Sequence, residues 1–254
     1  MHTAPVIQSL WIGDALTAME QLSIASFLQQ GHPYHLYAYD EVRCVPPGAE
    51  MRDAAAVLPR NRIFKYREFD SYAGFSNLFR YALLLDRGGY WVDTDVVCLQ
   101  PFPGGAADLV AGEKVRRRFY SLKRRSAVAS CVIRTTPGSA LSAYCFRQAD
   151  SRKPEEIGWG ETGPRLLAAA VEKLGLRDCV ARSEVFCPVN WWEWDRAIAA
   201  TPPRGWEAWT TRGTCGVHLW NEIWRREGVD KNGSFPATSL YAQLQRRGLA
   251  ACRT

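Results

Sequence analysis

The stretch Ser76–Pro101, SNLFRYALLLDRGGYWVDTDVVCLQP, constrains this chain more than any other. Phe75 to Leu85 carries apolar residues at helical spacing, and Asp86, Arg87, Gly88 and Gly89 stop the helix. Tyr90 to Val92 then reads as a short buried strand that delivers two aspartates one residue apart, Asp93 and Asp95. Residues two apart in an extended segment face the same way, so both carboxylates address one space. Open α/β sheets gather ligands at the carboxyl ends of their strands, which is where these aspartates fall. Two carboxylates so placed suit a hard divalent cation, and such a cation can hold phosphates.

The rest of the chain is expected to build an α/β sheet around this strand. Val6 to Ile12 is an apolar run, Asp14 offers a helix cap, and Leu16 to Gln29 has helical spacing. Gly31, His32 and Pro33 break that helix before a second strand at Tyr34 to Tyr39. Strand, helix, strand in this order predicts a crossover in a parallel sheet. Pro46 to Gly48 reads as a loop and Arg62 to Tyr66 as a third strand. Ala129 to Ile133 is a further strand, and Leu141 to Gln148 and Pro164 to Leu174 are helices. The last third is less regular and rich in tryptophan. At 254 residues, one large α/β domain is expected, and a second compact one would be crowded.

The chain carries a net charge of +6, part of it in Glu113 to Arg125, EKVRRRFYSLKRR. That run is either a solvated loop or an attractor of anions: a diphosphate, a lipid-linked acceptor or an anionic membrane face. No nucleic-acid motif accompanies it, so no nucleic-acid partner is expected. The eight cysteines are scattered without paired spacing, which predicts reduced, mostly buried thiols and disfavours zinc. No apolar run approaches the roughly 18 residues of a membrane span, and the start lacks a signal pattern. A cytoplasmic protein is expected, with a peripheral place at the inner membrane face.

Ser76 to Pro101 resembles the DXD sugar-binding region of nucleotide-sugar glycosyltransferases, in the pattern S-(D/N)-x-x-R-Y followed by GG-x-(Y/W)-x-D-x-D. It is most similar to glycosyltransferase family 32 and to the α-1,4-glycosyltransferase and capsular polysaccharide synthesis relatives. Echoes follow in the same order at Leu10–Gly13, Leu36–Glu41, Glu161–Pro164 and Val217–Asn221. The resemblance implies a GT-A fold, a Rossmann-like, mixed and mostly parallel sheet flanked by helices in a single domain. Residues 1–101 would form the nucleotide-sugar half, and 102–254 the acceptor side and the C-terminal closure. It implies a hexosyltransferase that uses Mn²⁺ or Mg²⁺, moves sugar from a UDP-sugar to a glycan or lipid-linked glycan, and retains anomeric configuration. Polysaccharide biosynthesis is the implied setting.

By the same resemblance Asp95 binds the metal directly, Asp93 contacts ribose or donor sugar and reaches the metal through water, and His218 is a late third protein ligand of the metal. Arg80 reaches the donor sugar or diphosphate, where its planar fork suits phosphate oxygens. Trp11, Ile12, Ser76, Asn77, Trp91, Thr94, Thr162, Gly163 and Trp220 belong to the donor site, and Glu161 is an acidic residue on the acceptor side. Asn77 stands where many relatives carry Asp; an amide can hydrogen-bond a hydroxyl but cannot act as a base. Trp159, Trp220 and Trp224 are candidates for stacking on sugars, while Trp191, Trp192 and Trp194 serve either the core or an acceptor loop. No covalent nucleophile is named, so front-face transfer is expected.

Two other readings stand beside this one. YWVDTDVV also fits the first motif of haloacid-dehalogenase-like phosphatases, in which the first aspartate is a nucleophile. A non-catalytic sugar-nucleotide-binding protein with the same fold is the other.

Overall fold

The computed structural model describes residues 4–66, 68–116, 126–200 and 210–249. Its centre is a six-stranded sheet in the order β3-β2-β1-β4-β7-β6. These strands are β1 (Ile7–Trp11), β2 (Tyr34–Ala38), β3 (Ala49–Asp53), β4 (Gly89–Val92), β6 (Leu109–Lys114) and β7 (Ser126–Thr135). The β3–β2, β2–β1 and β1–β4 pairs are parallel, and β4–β7 and β7–β6 are antiparallel. β5 (Val96–Cys98) leaves this sheet and pairs antiparallel with β8 (Gly216–His218).

Helices cover both faces, as the buried strands require. α2 (Ala73–Arg87), α3 (Ala140–Asp150) and α4 (Leu166–Lys173) pack on one face, where Phe75, Phe79, Leu83, Trp91, Ile133 and Leu141 share a core. α1 (Ala18–Gln29) and α5 (Ser183–Phe186) lie on the other, with Ile24, Phe27, Tyr34, Tyr90, Val92 and Phe186. The side chains of β4 alternate between the two cores, as the pleat dictates. A third cluster joins α1 to β5, β8, α6 (Asn221–Arg226) and α7 (Leu240–Leu249) through Leu22, Val97, Val217, Trp224 and Tyr241. No described helix is long and apolar enough to cross a membrane.

Several sequence expectations need correction. The cap of α1 is Thr17, whose backbone N–H donates to the Glu20 carboxylate at 2.9 Å, so Asp14 lies outside the helix. The third strand is Ala49–Asp53, not Arg62 to Tyr66, where only an isolated bridge joins Tyr66 to Ser71. Ala49–Asp53 forms the sheet edge and exposes Glu50, Met51 and Asp53, so no apolar run marks it. The basic segment from residue 117 to 125 lies outside the described residues.

The double glycine has a steric cause. Gly88 takes φ 61°, and a Cβ there would sit 2.5 Å from Pro137 Cδ. Gly89 takes φ 84°, and a Cβ there would approach Gln8 Nε2 to 3.0 Å. Only glycine makes this turn without strain.

Candidate active site

Strand order reverses beside β1: β2 and β3 lie on one side of it and β4 on the other. Such a switch point opens a crevice beyond the strand ends. Here it opens into a cavity of about 930 Å³. Trp11 at the end of β1 and Ile12 just past it line the cavity, and Asp93, Thr94 and Asp95 line it just past β4. α2 contributes Ser76, Asn77 and Arg80, and the end of β8 contributes His218, Trp220 and Asn221.

Asp93 is held by two neighbours. The Trp91 indole N–H donates to its Oδ1 at 2.8 Å, and Arg80 Nη2 lies 3.1 Å from the same atom. Arg80 is only 4% exposed, and its guanidinium lies 4.8 Å from the Trp91 ring centroid. The same fork donates to the Ser130 carbonyl, the Ser76 carbonyl and the Ser76 hydroxyl. Both Arg80 and Trp91 therefore fix a carboxylate, whatever else they meet in the cavity. Burial raises the Asp93 pKa, and the Arg80 charge works against that rise.

Asp95 is held from the other side of the cavity. Its Oδ2 accepts from the Asn221 backbone N–H at 2.7 Å and lies 3.3 Å from His218 Nε2. The β5–β8 ladder creates this meeting: Val96 pairs with His218, and Leu219 N–H donates to the Asp95 carbonyl at 3.0 Å. Val217 and Leu219 turn into the third core, which leaves His218 facing the cavity. Burial would raise Asp95, but the His218 charge and the bonds to His218 and Asn221 outweigh it and lower its pKa. Burial opposes protonation of His218, yet the Asp95 carboxylate outweighs it and raises the pKa well above the ordinary value. The two form a buried ion pair.

One ligand atom from each of Asp93, Asp95 and His218 lies within 4.8 Å of the others. Two carboxylates and an imidazole make a donor set for a divalent cation of the magnesium or manganese class. The bonds above use Oδ1 of Asp93 and Oδ2 of Asp95, so each carboxylate keeps a second oxygen outside them. Four buried polar atoms without partners belong to residues of this cavity: Trp11 Nε1, Tyr66 Oη, His218 Nδ1 and Asn221 Oδ1. Buried polar groups are normally satisfied, and a cavity that collects such atoms is shaped for a polar ligand.

Glu161, Thr162 and Gly163 do not line the cavity. Glu161 accepts from Gly158 N–H at 3.0 Å and pairs with Arg152 at 3.3 Å. Thr162 is buried behind Asn77, whose Nδ2 lies 3.5 Å from the Thr162 hydroxyl, and it does not cap α4. A Cβ on Gly163 would stand 2.9 Å from Asn77 Nδ2, so this turn backs Asn77 from outside. Its neighbours Trp159, Gly160 and Pro164 are the ones at the cavity. Trp224 is fully buried in the third core, whereas Trp191, Trp192 and Trp194 line the cavity.

Sequence reasoning missed Tyr66, Glu113, Cys131, Asn221 and Lys231 as cavity residues. Only Asn221 had a signal, as the last residue of VHLWN. Lys231 lies on a loop, bonded to the buried Glu20 and 5.8 Å from the Trp11 ring centroid. The Arg226 guanidinium lies 3.5 Å from the Phe69 ring centroid and 3.9 Å from that of Trp159, and these two rings meet edge to face.

Glu113 ends its strand facing the cavity, and burial raises its pKa from 4.5 to about 7, against the lowering effect of His218. Between those two values the folded protein keeps a proton that the unfolded chain has released. Stability attributable to this group therefore falls as pH rises through that window and is level above it. Glu113→Gln should raise the melting temperature at pH 8, by about 1–3 kcal/mol of stability, and change little at pH 4.5. Thermal melts at the two pH values check this; an equal difference at both would refute the assignment.

Comparison with known proteins agrees with this geometry. Residues 22–116 match the family described as "Glycosyltransferase sugar-binding region containing DXD motif". That match takes in most of α1, the whole of α2 and both aspartates. No curated protein matches the chain. Among solved structures, the chain is similar to "PaToxG Glycosyltransferase" at 13% identity and TM-score 0.48, covering 98% of this chain and 87% of that one. It is also similar to a transferase with two cysteine-to-serine substitutions, at 9% identity and TM-score 0.41, covering 68% and 85%. At these scores neither likeness bears on function, and the DXD-region match is the finding that does.

Proposed function

We propose that the protein is a metal-assisted glycosyltransferase that moves a hexosyl group from a nucleotide diphosphate sugar to a glycan acceptor. The observation that carries this reading is the convergence of Asp93, Asp95 and His218 at the switch-point cavity, with both aspartates inside a segment matching a DXD sugar-binding region. The donor we favour carries uridine diphosphate, and the acceptor is a glycan or a lipid-linked glycan. The first 101 residues supply most of the nucleotide-sugar side, and the later part supplies the acceptor side and His218.

Asp95 and His218 would hold Mn²⁺ or Mg²⁺, with Asp93 beside them. When bound, such a cation offsets the negative charge that grows on a departing diphosphate. The chain's own residues prepare this site. Arg80 and Trp91 fix the rotamer of Asp93, and the Asn221 N–H fixes Asp95. Trp11 Nε1 and Asn221 Oδ1 offer an unused donor and acceptor for the nucleotide or its sugar. Lys231 adds positive charge at the same wall. Trp191, Trp192 and Trp194 provide aromatic faces for the acceptor. No side chain is assigned as a covalent nucleophile, so the reading is front-face transfer with retention.

Thermal shift with a panel of nucleoside diphosphates tests the reading. UDP with Mn²⁺ should raise the melting temperature, because a ligand at about 100 times its Kd adds about 2.7 kcal/mol to stability. UDP without a divalent cation should give a much smaller rise. Absence of any nucleotide effect in the presence of Mn²⁺ or Mg²⁺ would overturn the proposal. Binding without sugar release from any donor would instead favour a non-catalytic nucleotide-sugar binder.

A further inference from the structure

Beside the aspartates lies a second group of ligating atoms. Cys131 is on β7, and its carbonyl accepts the Asp93 N–H at 2.8 Å. Cys187 follows α5 and is bound to it by an N–H to the Ser183 carbonyl at 2.8 Å. The two thiols are each 1% exposed, and His218 is 8% exposed. One ligand atom from each of these three residues lies within 4.8 Å of the others.

The sulfur–sulfur separation discriminates between uses of this pair. The two thiols hydrogen-bond to each other at 3.6 Å, far longer than the roughly 2.05 Å of a disulfide. This separation is close to the edge of a tetrahedron built on metal–sulfur bonds of about 2.3 Å, which is about 3.8 Å. His218 fits the same pattern. Its Nε2 faces the Asp95 carboxylate at 3.3 Å, while Nδ1 is buried with no partner. Metal-binding histidines characteristically give their other ring nitrogen to a carboxylate, which sets the tautomer and the ring orientation. Here the Nε2–H goes to Asp95, which leaves Nδ1 as the ring nitrogen without a partner.

We propose that Cys131, Cys187 and Nδ1 of His218 form a second cation site, of the soft, thiolate-ligated class that zinc occupies. Binding a divalent ion forms two metal–sulfur bonds and one metal–nitrogen bond, and it releases three protons to solvent: one from each thiol and the Nδ1 proton of the His218 imidazolium paired with Asp95. The product is a neutral cluster of two thiolates, one dication and a neutral imidazole, which suits a buried place. Three protein ligands leave one tetrahedral position open. Cys131 and His218 line the cavity and Cys187 does not, so the open position faces the cavity. A neutral imidazole has a single lone pair. If the donor-site reading above holds, the soft ion and the catalytic ion compete for His218.

The full chain, kept reduced with a phosphine, should be titrated with Co²⁺. The expected result is a near-ultraviolet sulfur-to-cobalt absorption that saturates at one ion per chain and is bleached by an equal amount of Zn²⁺. Cys187→Ser should lose the band, and Asp93→Asn should keep it. No band in the wild-type protein, or the same band in Cys187→Ser, overturns the proposal. If Cys187→Ser fails to fold, alkylation of the wild-type protein in enough denaturant to expose its buried thiols decides. Zn²⁺ must protect Cys131 and Cys187 while the exposed Cys44 still reacts; equal labelling with and without Zn²⁺ overturns the site. Failure here leaves the UDP and Mn²⁺ thermal shift unaffected, so the two readings fall separately.

Discussion

Asp95→Asn should lower sugar transfer and donor hydrolysis about 10³-fold or more while leaving the protein folded. On the proposed reading the loss removes a charge that the cation and His218 would both use, and a cation at a departing diphosphate is worth several kcal/mol of transition-state stabilisation. The fold should survive because the asparagine oxygen can still accept the Asn221 N–H that Asp95 accepts at 2.7 Å. Initial rates with a nucleotide sugar and Mn²⁺, beside a thermal melt, measure the two effects together. Wild-type turnover in the variant would sink the assignment of Asp95 as the metal anchor.

Arg80→Ala should act mainly on stability. The guanidinium is buried, bonds Ser76 and Ser130, stacks on Trp91 and compensates Asp93. Removing one partner of a buried pair costs about 3–5 kcal/mol, because the other charge is left uncompensated. Asp93 keeps some exposure to the cavity, so about 2–4 kcal/mol is expected, or roughly 5–15 °C in melting temperature. Adding Asp93→Asn to Arg80→Ala removes the stranded charge and should recover part of the loss. A double-mutant cycle measures that coupling. An Arg80→Ala protein that melts like the wild type would show that Asp93 does not need its partner.

Much of this architecture was legible before any coordinates. The Ser76–Val92 helix and strand, β1 and β2 carry apolar patterns strong enough to decide their type, whereas α1 is buried nearly all round, Glu20, Ser23 and Ser26 included, and is marked mainly by the Gly31–Pro33 break after it. β3 does not, because an edge strand holds its place through backbone pairing to β2 and can expose polar side chains. The aspartates were legible because both the helix before them and the strand that carries them are encoded locally. Glu161 was placed in the site on a motif echo. The left-handed Gly160 and the tight turn after it carry its carboxylate to Gly158 and Arg152 instead. Glu113, Cys131 and Lys231 could not be found by spacing, since only the sheet order brings residues so far apart to one crevice.

The two-stranded β5–β8 ladder has a consequence for how this molecule is made. Asp95 leaves the ribosome more than a hundred residues before His218 and Asn221, yet it has no side-chain partner until they dock. The pocket around Asp95 is therefore complete only once β8 and the start of α6 have joined β5. A nascent chain stalled after β5 would carry both aspartates without His218 or Asn221.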